Sequence, residues 1–131
     1  MMLRSHREQI KVIHPHASLW EALEDDPTFV LRSMFGTKAA YVGGNLMLCF
    51  SAKAEPWRGV LICTERSHHA TLMQQFSNVS PHPILPKWLY LPEADAGFER
   101  TAEQLVQLVR RRDPRIGVVP QPKRMRKTRY G

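Results

Sequence analysis

Apolar residues recur at two different spacings along the chain, and these spacings divide it into a sheet-forming centre with helices on either side. Between residues 29 and 64, short apolar runs are separated by glycine-bearing or polar breaks, which is typical of strands joined by tight turns. Gly43 and Gly44 supply the positive φ angles that a hairpin turn needs. The runs predict strands at 29–35, 39–42, 46–51 and 59–63.

Apolar residues three and four apart predict helices at 17–24, 65–76 and 98–112, and Thr64 is suited to cap the second of them. A fifth strand is predicted at 87–91, after a proline-rich connection. The short turns within the centre require antiparallel neighbours. The predicted fold class is therefore α+β, an antiparallel sheet of about five strands with helices mainly on one face.

The same pattern predicts which side chains form the core. In the third strand Leu46, Leu48 and Phe50 alternate with other residues and are expected to share a face. Trp57 lies in a wide loop and is interpreted as a half-buried anchor of that loop. The residues expected to be mostly buried are Leu48, Phe50, Leu61, Leu72, Phe76, Trp88, Leu105 and Val109.

Charge is distributed unevenly along the chain. The net charge is +7, yet residues 1–109 hold ten Lys and Arg against eleven Asp and Glu, a net of −1. Residues 110–131 hold nine Lys and Arg against one acid, a net of +8. We therefore divide the chain into an N-terminal arm (1–15), an α+β domain (16–112) and a basic, proline-containing tail that we predict to be flexible (113–131).

A basic block set apart from a neutral body indicates a polyanionic partner such as nucleic acid. Lys and Arg bind phosphates without reading sequence, and a tyrosine can stack on an exposed base. A solubilising role for the tail explains the same composition. The predicted nucleic-acid-binding residues are Arg110, Arg111, Arg112, Arg115, Lys123, Arg124, Arg126, Lys127, Arg129 and Tyr130.

Candidate chemistry elsewhere in the sequence is weak. Cys63 ends a strand before a helix and is followed by two histidines, His68 and His69, so a thiol-dependent activity is the enzymatic alternative. The histidines lack the tight four-ligand spacing of a zinc site and are interpreted as surface or capping residues. We expect no metal, no cofactor and no enzymatic activity, because no recognised catalytic motif occurs.

Cellular location is predicted from two features. The two cysteines, Cys49 and Cys63, lack CxxC spacing and fit a reduced cytoplasmic protein. No apolar run approaches the ~18 residues of a membrane span, and the N-terminal residues lack the apolar centre of a signal peptide. We therefore expect a cytoplasmic protein with no membrane partner.

Short motifs resemble known families over about residues 16–112. The segment 32–36 (RSMFG) leading into 41–44 (YVGG) resembles the N-terminal domain of the TfoX family, although Thr37 replaces the second glycine of its signature. Residues 72–81, the lysine before WLYL and the closing helix resemble the related MmcQ/YjbR family. The resemblance implies a frataxin-like layout and a role in regulation or DNA association, with no catalytic residues. Its motif residues are Met34, Phe35, Gly36, Tyr41, Gly43 and Gly44.

From the sequence we therefore expect a non-enzymatic module that associates with nucleic acid through its tail, with the regulatory role that the resemblance implies. The alternative is a protein-interaction module that recruits a partner on its sheet face. The sequence leaves the choice between DNA and RNA, and the oligomeric state, open.

Overall fold

The computed structural model describes residues 14–34 and 36–120, and within these ranges short helices pack against one open antiparallel sheet. The sheet order is β1-β2-β3-β4-β6-β5, and each neighbouring pair runs antiparallel. The α+β prediction is therefore confirmed. The strands are β1 (Val30–Met34), β2 (Thr37–Val42), β3 (Asn45–Ser51), β4 (Gly59–Ile62), β5 (Ser80–Pro81) and β6 (Leu89–Pro92).

The helices lie where apolar periodicity predicts them, but all of them are shorter. The first is α1 (Ala17–Trp20), continued by a 3₁₀ turn at Glu21–Leu23. The second is α2 (His69–Gln75), preceded by a 3₁₀ turn at Arg66–His68, and the third is α3 (Phe98–Arg110). Thr64 does not cap α2, which corrects the expectation, because its hydroxyl donates to another segment described below.

The main core lies between the helices and one face of the sheet. Phe50, Leu48 and Ile62 from the strands meet Leu72 and Leu105 from the helices, and all are essentially inaccessible to solvent. Burial of so many large apolar side chains is the dominant favourable contribution to folding. The expectation of helices mainly on one face is therefore confirmed.

Two predicted core residues lie elsewhere. Leu61 is buried, but on the face of the sheet opposite the helices, and Trp88 on that face is only half-buried. Leu46 also faces this side, although it was expected to align with Leu48 and Phe50. The reason is a bulge in β3: Ala40 pairs with Leu48 while the next residue, Tyr41, pairs with Leu46, and the unpaired residue between them inverts the alternation.

The predicted hairpin between β2 and β3 is present. Gly43 and Gly44 both have positive φ angles, 61° and 84°, which the tight turn requires and which side chains rarely tolerate. Gly36, in the preceding turn, has a φ of 79°. The strand not foreseen is β5, two residues in the proline-rich connection that pair with β6.

The chain after α3 returns to the body. Ile116 is 4% exposed and joins the main core, and Val118 forms a two-residue bridge with Leu46. The tail, residues 113–131, was predicted to be flexible, but its described part packs on the body because the side chains of Ile116 and Val118 find partners on the sheet. In the described ranges no helix has the length and apolar character needed to cross a bilayer.

Candidate functional site

The face of the sheet away from the helices carries a second group of apolar and aromatic side chains. Alternation along the strands and the β3 bulge direct Tyr41, Leu46 and Leu61 to this face, together with Tyr90 and Trp88. No helix of the described chain covers it. One half of this face is covered by a loop and the other half is more exposed, and the more exposed half is the candidate site.

One half of this face is covered by the loop between β3 and β4. Trp57 from that loop stacks on His82 with ring centroids 4.0 Å apart, and His82 meets the edge of Tyr90 at 4.9 Å. The His82 Nδ1 accepts hydrogen bonds from the backbone N–H groups of Ile84 and Leu85, so Nε2–H donates to the Pro56 carbonyl at 2.7 Å. His82 is therefore buried rather than on the surface, and its two hydrogen bonds from backbone N–H groups are those of the capping alternative.

The other half is what we call the open face, formed by Tyr41, Leu46, Trp88 and Val118. Tyr41 pairs with Leu46, and Leu46 exchanges backbone hydrogen bonds with Val118. Trp88 lies on the same face, directly before β6. These side chains line a groove of about 630 Å³ that ends at Val119, whose side chain is 74% exposed. The groove therefore presents partly exposed apolar and aromatic side chains that no helix of the described chain covers, which makes it the candidate interaction site.

Cations stand beside the aromatic rings of the open face. The guanidinium carbon of Arg32 lies 5.5 Å from the centre of the Tyr41 ring, and the Lys87 ammonium lies 5.2 Å from that of Trp88. Both distances are within the range of cation–π attraction. Arg66 also lines the groove, and Glu65 is the one acidic residue in its described lining. The groove therefore combines half-buried aromatic rings with a net positive charge in its described lining.

The segment that leads into residues 121–131 is fixed at this groove. The Thr64 hydroxyl donates to the Arg115 carbonyl at 2.6 Å, and the Gly117 N–H donates to the Cys63 carbonyl at 2.7 Å. Leu46 and Val118 exchange backbone hydrogen bonds of 2.9 and 3.0 Å. The described chain ends beside the open face, with Val119 and Pro120 in the groove lining.

The predicted nucleic-acid-binding residues beyond this point lie outside the described residues. They are Lys123, Arg124, Arg126, Lys127, Arg129 and Tyr130.

Three of the four predicted binding arginines within the described residues are paired with carboxylates. Arg110 lies 3.3 Å from Asp25, and Arg112 lies 2.9 Å from Asp26. Arg115 lies 3.0 Å from Asp113, and its hydrogen bonds hold the pKa of that carboxyl below its usual value. Arg112 and Arg115 are therefore held beside carboxylates that are largely shielded from solvent, whereas the Arg110–Asp25 pair is largely exposed and contributes little to stability.

The ion pair between Arg112 and Asp26 is part of a larger hydrogen-bond network. Hydrogen bonds from the Thr28 hydroxyl and backbone, followed by Arg112, lower the pKa of Asp26 to about 2. The Thr28 hydroxyl in turn accepts a hydrogen bond of 2.8 Å from the Gly43 N–H. Through these hydrogen bonds, Arg112, Asp26 and Thr28 connect the end of α3, the loop after α1 and the β2–β3 hairpin.

Arg111 lines a different groove, of about 760 Å³, between α1 and α3. Its lining mixes both signs of charge, with Glu99 and Glu103 beside Arg100 and Arg111. Alternating charges at a helix surface are typical of a solvated face rather than of an anion site. The groove gives no support to nucleic-acid binding at Arg111, which stays a prediction.

The thiol alternative finds no support in the geometry. Cys63 is completely buried, and desolvation, followed by the neighbouring Cys49 thiol 3.9 Å away, raises the pKa of Cys63 well above its ordinary value. A nucleophilic cysteine needs a lowered pKa and access to substrate. His16, interpreted as a surface or capping residue, is also buried; it lies 3.1 Å from Glu93, without hydrogen-bond geometry.

The motif residues of the resemblance occupy turn and strand positions. Gly36, Gly43 and Gly44 form the turns that flank β2, and Tyr41 lies on the open face. The backbone of Met34 ends β1, and Phe35 lies outside the described residues. No protein-family model, curated protein or solved structure matches the chain. The TfoX and YjbR resemblance therefore stays a prediction.

Sequence reasoning missed most of the open face. Trp88 was assigned to the core, and Arg32, Arg66 and Lys87 were not selected. The available signal was alternation, since Trp88 and Tyr90 must share a face opposite Leu89 and Leu91. A lysine next to a tryptophan at a strand end was the further indication of a partly exposed ring.

Proposed function

We propose that this protein is a nucleic-acid-binding module whose basic C-terminal segment contacts phosphate groups. The observation that supports the proposal is the segregation of charge, with −1 in residues 1–109 and +8 in residues 110–131. Clustered Lys and Arg bind nucleic acid by releasing the counterions that surround its phosphates. The ligand contacts made in this way position the nucleic acid and carry no sequence information.

The ion pairs of the folded body indicate which cations are available to bind phosphate groups. Arg110, Arg112 and Arg115 each lie beside a carboxylate of the fold. The cations that we propose to act are therefore those of residues 121–131. The hydrogen bonds of residues 115–118 hold the described chain that precedes this segment at the groove. The regulatory role implied by the TfoX and YjbR resemblance stays part of the proposal.

The test compares two full-length variants that neutralise different arginines and lysines. In the first, Lys123, Arg124, Arg126, Lys127 and Arg129 are replaced by Gln; in the second, Arg110 and Arg112 are. We expect the first variant to lose nearly all affinity for duplex DNA at low salt, as measured by fluorescence anisotropy. The second should keep affinity within a few-fold of the parent, because its arginines are already paired with Asp25 and Asp26.

Melting temperatures of both variants control for folding. Equal affinity of the parent and of the first variant would move the site to the body of the protein. If the second variant loses more affinity for DNA than the first, the arginines at the end of α3 are the main phosphate-binding residues.

A further inference from the structure

We infer that the open face is a stacking platform for unpaired bases, so that the ligand of this protein is a single-stranded nucleic acid. The inference rests on the proposed function and specifies its substrate class. It is carried by the juxtaposition of two half-buried aromatic rings, Tyr41 and Trp88, with a cation beside each ring. Val119 and Pro120, which directly precede the basic segment, line the same groove.

The two rings lie on one face at separated positions. Tyr41 is on β2 and Trp88 directly precedes β6, with β3 and β4 between them. At about 4.8 Å for each strand spacing, the rings stand roughly 14 Å apart. Each can therefore take a different base of one strand, as aromatic residues on an exposed sheet do in other single-strand binders.

Leu46 and Val118 fill the space between the rings with apolar surface and keep the groove continuous. A base laid across this surface buries its faces against carbon rather than against water.

The charges fit a nucleic-acid strand better than an uncharged partner. Arg32 and Lys87 lie over the rings of Tyr41 and Trp88, so a base that stacks there displaces the cation from the ring face, and the displaced cation is then within reach of the phosphate of that nucleotide. Arg66 adds a third positive charge at the rim against Glu65. In a duplex the base faces are covered by their neighbours, so the rings distinguish single strands from duplexes.

The test uses the full chain and three labelled probes: a single-stranded DNA of mixed sequence, its duplex, and an abasic strand of equal length. Two variants remove one aromatic ring each while keeping an apolar side chain, Tyr41→Leu and Trp88→Leu. Trp88→Phe keeps a ring and is the matched control. Anisotropy titrations at one low salt concentration give the affinities.

We expect the parent to bind the single strand more tightly than the abasic strand. Each Leu variant should lower affinity for the single strand about five- to hundredfold, the range of base–aromatic stacking. Affinities for the duplex and the abasic strand should be unchanged, and Trp88→Phe should keep most of the parent's affinity.

The outcomes separate this inference from the proposed function. Equal binding of single strand, duplex and abasic strand, with no effect of the Leu variants, would overturn the platform and leave phosphate binding intact; the open face would then suit a protein partner. No binding of any probe by the full chain would overturn both. If a Leu variant has a lower melting temperature than the parent, the inference is decided by the parent protein alone, from its affinity for the single strand compared with its affinity for the abasic strand.

Discussion

The buried residue closest to the basic segment, Ile116, allows a quantitative test of how that segment is attached. Its side chain is 4% exposed within the main core. The substitution Ile116→Ala removes three carbons, and at about 0.8 kcal/mol for each buried carbon the lost transfer free energy is about 2.4 kcal/mol. Incomplete collapse around the cavity adds to this, so we expect a loss in unfolding free energy of about 2–5 kcal/mol.

Urea denaturation followed by circular dichroism measures this loss. Val119→Ala is the matched control, because Val119 is 74% exposed only three positions along the chain, and its change should stay within about 0.5 kcal/mol. The midpoint should fall for Ile116→Ala with little change in slope. Equal midpoints for the two variants would show that the chain after α3 does not belong to the folded body.

Three further predictions concern stability and ion pairing. Burial is the main cause that lowers the pKa of His16 below 6.5. As the pH falls, the unfolded chain takes up this proton before the folded protein does, so the unfolding free energy should decrease once the pH falls below about 6.5. Urea melts that are identical at about pH 7.5 and 5.5 would contradict this. Phe50→Ala should lose about 3–5 kcal/mol in the same assay, and a near-parental midpoint would refute its core position. Arg112→Gln should raise the pKa of Asp26 but leave it below its ordinary value, because the hydrogen bonds from Thr28 remain, and an NMR titration that returns the ordinary value would contradict this.

The antiparallel centre of the fold could be predicted from local chemistry. Gly43 and Gly44 permit the backbone angles of a tight hairpin, and short turns leave no room for a parallel crossover. The helices were located by apolar spacing, since α3 buries residues along one stripe. Their ends were less predictable because Thr64, a suitable cap by type, bonds instead to a residue 51 positions away.

The open face could not be predicted from the pattern alone. One unpaired residue in β3 turns Leu46 to the other side of the sheet, and sequence alternation does not reveal where a bulge lies. Nor does an apolar run such as 88–91 show which of its faces is covered. Arg110 was predicted to bind nucleic acid without sign of its ion pair, because its partner, Asp25, is 85 residues away in sequence.

The most direct test of phosphate binding by the basic segment is the dependence of duplex affinity on salt. If the five cations of residues 121–131 each neutralise one phosphate, log K against log salt should have a slope of about −4.5 for the full chain. From about 50 mM to about 200 mM salt the affinity should then fall roughly 500-fold. Any affinity that remains in the variant with those five residues replaced by Gln should depend little on salt, with a slope near zero. Equal slopes for the two proteins, or no binding by the full chain at low salt, would contradict the proposed function.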